Sequence, residues 1–128
     1  MPHLFFEGIV FSGTGTGKQF IDLPWVKQQI KEKLGFIPYS GTLNIRLTRL
    51  GIEKRKLLDT AEGFGVSPQA GYSPGVLFRA SIGALTCAVV VPMVPDYPSD
   101  VLEIIAPIYL RGTLGVTDGN AVTIAVKV

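Results

Sequence analysis

In Val76-Leu77-Phe78-Arg79-Ala80-Ser81-Ile82-Gly83-Ala84-Leu85-Thr86-Cys87-Ala88-Val89-Val90-Val91, the residues Val76, Phe78, Ala80 and Ile82 alternate with Leu77, Arg79 and Ser81. Side chains at every second position share one face of a strand, so this alternation predicts a strand with two different sides. Gly83-Ala84 then divides it from the apolar run Leu85 to Val91, which reads as a tight hairpin.

Similar signals lie on both sides of the hairpin. Leu4 to Ser12 is rich in Phe, Ile and Val, and Leu43, Ile45 and Leu47 alternate with Thr42, Asn44 and Arg46. Val101 to Ile105 predicts another strand, and Ala121 to Val128 a last one after the turn residues Thr117-Asp118-Gly119-Asn120. One clear helix starts at Leu23-Pro24-Trp25, with Val26, Ile30 and Leu34 recurring every fourth residue; Pro24 suits its first turn and Gly35 its end. Six or more short strands and one helix predict a mainly β, α+β protein built as a closed or nearly closed barrel. Residues 49 to 75 lack periodicity and read as a long surface excursion, with Glu53-Lys54-Arg55-Lys56 as a solvated face or a phosphate patch.

Composition narrows the function classes. Nearly half of the 128 residues are hydrophobic, enough for a genuine core, and the length makes residues 1–128 a single domain by expectation. Twelve Lys and Arg against ten Asp and Glu leave +2, too little to mark a nucleic-acid surface. One Cys, Cys87, and one His, His3, exclude a disulfide framework or a Cys/His zinc cage within one chain, and fit a reducing cytoplasm. The longest uncharged run, Ala80 to Pro95, is interrupted by Gly83 and Pro92 and is too short for a membrane span.

Three local patterns point to chemistry. In Gly13-Thr14-Gly15-Thr16-Gly17-Lys18, alternating glycines let successive N–H groups converge on an anion, and Lys18 adds a charge. Ser12 and Gln19 stand where a Walker A loop needs Gly and Ser or Thr, and the Gly-x-Gly-x-Gly spacing differs from the dinucleotide fingerprint, which opens a helix directly. A flexible loop would also account for the pattern. Thr42 and Asn44 project from one face about 6.5 Å apart along a strand and offer neutral oxygens suited to Mg²⁺ whose charge is met by a nucleotide, or simply occupy a wet face. Glu103 shares a face with Val101 and Ile105, which calls for a hydrogen-bonding partner such as a ligand hydroxyl, unless its strand is an edge. Arg111 answers a phosphate or covers surface.

Four blocks in order carry a family likeness: Ser12 to Lys18 with Phe20; Leu34-Gly35-Phe36-Ile37-Pro38-Tyr39-Ser40-Gly41-Thr42-Leu43-Asn44; Val101 to Pro107 with Leu110-Arg111; and the terminal Asp118-Gly119 strand. With them the chain resembles the archaeal CTP-dependent riboflavin kinases. The resemblance implies a six-stranded cradle-loop β-barrel, CTP as phosphoryl donor, Mg²⁺, and riboflavin as acceptor, giving FMN and CDP. It implies that Gly13, Thr14, Gly15, Thr16, Gly17 and Lys18 hold the CTP phosphates and that Ile108, Tyr109, Leu110 and Arg111 form a second nucleotide-contacting segment. Thr42 and Asn44 match Mg²⁺ positions, and Glu103 a flavin-binding one. Where family members often place a flavin-touching threonine this chain has Pro95, so that contact has no side-chain hydroxyl. Some relatives carry an N-terminal winged helix; this chain starts at the barrel strand, and neither a DNA-binding module nor a nucleic-acid or membrane partner is expected. A cytoplasmic monomer is the expected form. The rival classes are a non-catalytic β-barrel binding nucleic acid or protein, and a kinase of the same scaffold using ATP or another polyol.

Overall fold

The computed structural model describes residues 3–128. Seven strands are present: β1 (His3–Phe11), β2 (Leu43–Leu47), β3 (Phe64–Val66), β4 (Gly75–Ile82), β5 (Leu85–Pro92), β6 (Val101–Ile105) and β7 (Ala121–Lys127). All pairings are antiparallel, in the order β3-β4-β5-β6-β2-β1-β7, and β7 also pairs with β4. That last pairing closes a six-stranded barrel, with β3 attached outside it to β4. The β4–β5 hairpin turns at Gly83-Ala84, with Ile82 opposite Leu85, as its sequence predicts.

The barrel is filled by Phe6 and Val10 of β1, Ile45 of β2, Phe78 of β4, Val89 of β5, Leu102 and Ile104 of β6, and Ile124 of β7, all essentially inaccessible to water. Cys87 lies in this interior, where burial pushes its thiol up to about 12, so it behaves as a small apolar side chain.

The expected helix is α2 (Pro24–Leu34), ending at Gly35. Val26, Ile30 and Leu34 pack on the outside of the barrel against Leu77, Ala88, Val90 and Ile105. Each of the three contributes about 1.5–3 kcal/mol by leaving water. Strand β5 is consequently covered on both faces, which is why it reads as a continuous apolar run. Polar ties fix the helix in place. Arg79 donates to the carbonyls of Leu34 (3.0 Å) and Lys33 (3.1 Å). Gln29 exchanges two hydrogen bonds with the Ser67 backbone, and Lys33 reaches the Gly65 carbonyl.

Three shorter helices accompany the one clear helix: α1 (Thr16–Ile21), α3 (Arg49–Arg55) and α4 (Leu110–Leu114), with a 3₁₀ turn at Lys56–Asp59. The glycine loop therefore does open a helix, because the chain enters α1 at Thr16. Residues 49 to 75 are also not all surface excursion. Within 53–56, Glu53 and Lys56 pair in solvent at 3.1 Å, but Arg55 is buried and donates from Nε to the Val101 carbonyl (3.1 Å). Strand β6 is no edge either: it lies between β5 and β2, so Glu103 is a central-strand residue. Among the described residues, no helix is long and apolar enough to cross a membrane.

Candidate active site

Helix α2 covers the outer face of β4, β5 and β6 only in part. Beside it, the outward residues of β2 and β6 form the floor of a cavity of about 710 Å³. Its wall on one side is Phe11 to Lys18, with Phe20 and Ile21 of α1; on the other it is Gly71 to Gly75 with Val94, Tyr97, Pro98 and Asp100. Register explains the floor. Phe11 stands opposite Asn44, Asn44 opposite Glu103, and Glu103 opposite Val90, so residues distant in sequence line up across four strands on one face.

The glycine loop lies directly on this row. A Cβ at Gly13 would overlap the Asn44 side-chain amide. A Cβ at Gly17 would stand 2.5 Å from Glu103 Oε1 and 2.8 Å from Thr42 Oγ1. Close approach, more than flexibility, therefore requires glycine at these two positions. Thr42 Oγ1 donates to Asn44 Oδ1 at 2.8 Å, so the two oxygens converge beneath the loop. Tyr97 Oη donates to Glu103 Oε2 at 2.6 Å, the length of a charge-assisted hydrogen bond. Burial drives the Glu103 carboxyl above its ordinary value, opposed by the Tyr97 bond. Tyr97 is driven upward too, by burial first and then by the carboxylate beside it, so it remains a donor at neutral pH.

Three cations border the cavity, each with a carboxylate. Lys18 pairs with Asp22 (3.2 Å), Arg46 with Asp100 (3.5 Å) and Arg111 with Asp118 (2.8 Å). Arg46 also lies over the Phe11 ring, 4.3 Å from its centroid. Arg111 further donates to the Phe11 carbonyl at 3.2 Å, tying α4 to the start of the glycine loop. A second cavity of about 160 Å³ adjoins the first at Gly41, Thr42 and Arg111. Ile104, Ala106, Ile108, Leu110 and the tilted pair Tyr39 and Tyr109, 5.2 Å apart, surround it.

The family model CTP-dep_RFKase, described as "Domain of unknown function DUF120", matches residues 10–126, which span all the segments just described. The chain belongs to this family. Among similar proteins, the riboflavin kinase of Methanosarcina barkeri is 39% identical over 126 residues, covering 94% of this chain and 56% of the relative. That of Archaeoglobus fulgidus is 37% identical over 125 residues, covering 94% and 53%. The chain thus spans about half the length of these two. The riboflavin kinase of Sulfurisphaera tokodaii is 38% identical over 130 residues and is covered over 95% of its length.

The residues singled out by the CTP-dep_RFKase resemblance mostly come together. Gly13 to Lys18, Thr42, Asn44, Glu103 and Arg111 all border the larger cavity, and Ile108 to Arg111 border the smaller one. Pro95 does not: it is exposed, and its neighbours Val94 and Tyr97 face the cavity instead. Tyr97, Arg46, Asp100 and the Tyr72 turn are cavity residues that sequence reasoning did not single out. Tyr97 lies between Pro95 and Pro98 in an irregular segment, where no periodicity assigns a direction to a side chain.

Proposed function

We propose that this chain is a riboflavin kinase that moves the γ-phosphoryl group of CTP to the ribityl 5′-hydroxyl of riboflavin, giving FMN and CDP. The supporting observation is the convergence of the glycine loop with Thr42, Asn44 and Glu103 where one wall of a ligand-sized cavity meets its floor, in a member of this family. The chain works as a single-domain cytoplasmic monomer with no nucleic-acid partner in this reading.

The triphosphate lies along Gly13 to Lys18, where unobstructed N–H groups and the Lys18 ammonium meet its oxygens. Ile108 to Arg111, beside the smaller cavity, contacts the rest of the nucleotide. Riboflavin occupies the larger cavity with its polyol toward Glu103 and its rings toward the apolar side chains of Phe20, Ile21, Val90 and Val94. The new O–P bond forms as the bond to CDP breaks, and the hydroxyl proton is released. Phosphoryl transfer of this loose kind is governed by positioning and charge neutralisation, so a strong general base is not required.

The residues beneath the loop fit a magnesium ion. Thr42 Oγ1 and Asn44 Oδ1 are two neutral oxygens 2.8 Å apart beneath the loop, a donor set suited to a hard cation. These two side chains would hold the ion, and the chemistry supplied there would be charge neutralisation at the transferring phosphoryl group.

Purified protein, Mg²⁺ and riboflavin, supplied in parallel with CTP or ATP, test the proposal by chromatography of fluorescent flavins. FMN formed faster with CTP is expected. No FMN with either donor overturns the kinase reading, and preference for ATP overturns the donor.

A further inference from the structure

Glu103 has two carboxylate oxygens in different surroundings. Oε2 accepts from Tyr97, whereas Oε1 has no hydrogen-bond partner among the described residues and lies beneath Gly17. A phenol has one proton to donate, so Tyr97 cannot serve both oxygens. A half-buried carboxylate with one oxygen paired is therefore presented to the cavity through the other, and a ligand hydroxyl is a fitting donor.

Tyr97 is itself fixed from behind. The buried Arg55 guanidinium lies 5.3 Å from the centre of the Tyr97 ring, and Arg55 Nε is committed to the carbonyl of Val101, two residues before Glu103 on β6. One arginine thus holds both the phenol and the strand bearing the carboxylate. This gives the buried member of the 53–56 run a role the cavity lining alone does not reveal. A long glutamate side chain has several staggered rotamers, and a hydrogen bond from a ring with a fixed position selects one of them.

We propose that Tyr97 is a positioning residue for the acceptor: by holding Glu103 Oε2 it turns Oε1 toward the glycine loop, where Oε1 accepts a hydrogen bond from the terminal hydroxyl of the polyol. This rests on the riboflavin kinase reading and adds a residue that acts through Glu103.

The test is steady-state kinetics of Tyr97→Phe beside the wild type, varying riboflavin and CTP separately. Loss of a hydrogen bond to a charged group predicts a fall in kcat/KM for riboflavin of roughly ten- to a hundredfold, with KM for CTP unchanged. In a double-mutant cycle with Glu103→Gln, the second substitution should add little, because Tyr97 acts only through the Glu103 carboxylate it orients. Wild-type FMN formation with an unimpaired Tyr97→Phe enzyme overturns the inference alone. So does an equal worsening of both substrates, the pattern of general structural damage. A wild type that forms no FMN overturns the parent reading and this one with it. Should Tyr97→Phe fail to fold, wild-type affinities for riboflavin and 5′-deoxyriboflavin keep the question open to refutation: tighter binding of riboflavin is expected, and equal affinities count against the proposed contact.

Discussion

Asn44 and Glu103 are register partners across β2 and β6, and the loop that crosses above them meets one at Gly13 and the other at Gly17. The glycine loop and these two strands are therefore one packed unit, and a change in any of the three is felt by the others.

Gly17→Ala tests that packing. Alanine is better than glycine inside a helix by about 1 kcal/mol, so α1 alone would gain. The added Cβ, however, meets Glu103 Oε1 at 2.5 Å and Thr42 Oγ1 at 2.8 Å, and overpacking of that kind costs about 1–3 kcal/mol. Steric displacement wins. FMN formation should fall at least about tenfold, with a small change in melting temperature; an unimpaired enzyme would show that the loop adapts freely.

Asn44→Ala removes one of the two converging oxygens beside the loop. At fixed CTP, the Mg²⁺ concentration giving half-maximal rate should rise at least about tenfold. Wild-type Mg²⁺ dependence in the folded variant would remove Asn44 from the metal assignment.

Asp118 gives a pH prediction. Its carboxyl is held below the ordinary range, first by Arg111 and then by Ser12. A carboxylate with a depressed folded-state pKa adds stability above its unfolded pKa and loses it as pH falls through the folded value. In urea unfolding, Asp118→Asn should be less stable than wild type by a constant margin between about pH 6 and 8, and that margin should shrink in acid below about pH 4. A margin that persists at acid pH would mean the loss is not electrostatic.

Arg79→Ala separates stability from chemistry. It deletes two hydrogen bonds to the end of α2 and the guanidinium stacked 5.3 Å over Phe64. A loss of roughly 1–3 kcal/mol in urea unfolding is expected, because two carbonyls lose a charged donor. Below the melting range, riboflavin turnover should match wild type; a large fall in kcat would extend the working site to the far side of α2.

Periodicity made the barrel legible wherever an element is long enough to repeat it. The β4–β5 hairpin and α2 each bury a regular set of apolar side chains, and both appear where the sequence places them. Helix α3 inverts that pattern. Its buried residues are Gly51 and Arg55, four apart, while Leu50 is 66% exposed, so it carries no apolar stripe to read. Helices α1 and α4 have six and five residues, too few for a helical period. Glu103 illustrates a different limit: whether its strand is central or an edge depends on pairing with β5 and β2, which no local pattern encodes. The glycine loop, Thr42, Asn44 and Glu103 were visible as chemistry and through family likeness. Tyr97 was not, because the meaning of a single aromatic residue in an irregular segment arises only from what it touches.

The seam that closes the barrel has a consequence for how the molecule comes into being. Strand β1 and its β7 partner are far apart along the chain: Ser12 and Asp118, which fasten that end of the seam, are 106 residues apart. On a ribosome β1 must emerge long before β7, and until β7 arrives both β1 and β4 have a side without its final barrel partner. Such distant pairing slows folding and prolongs the interval in which a nascent chain can pair with a neighbour instead. The cavity floor is built on strands of this same barrel, so it takes its final form only once β7 has closed the seam.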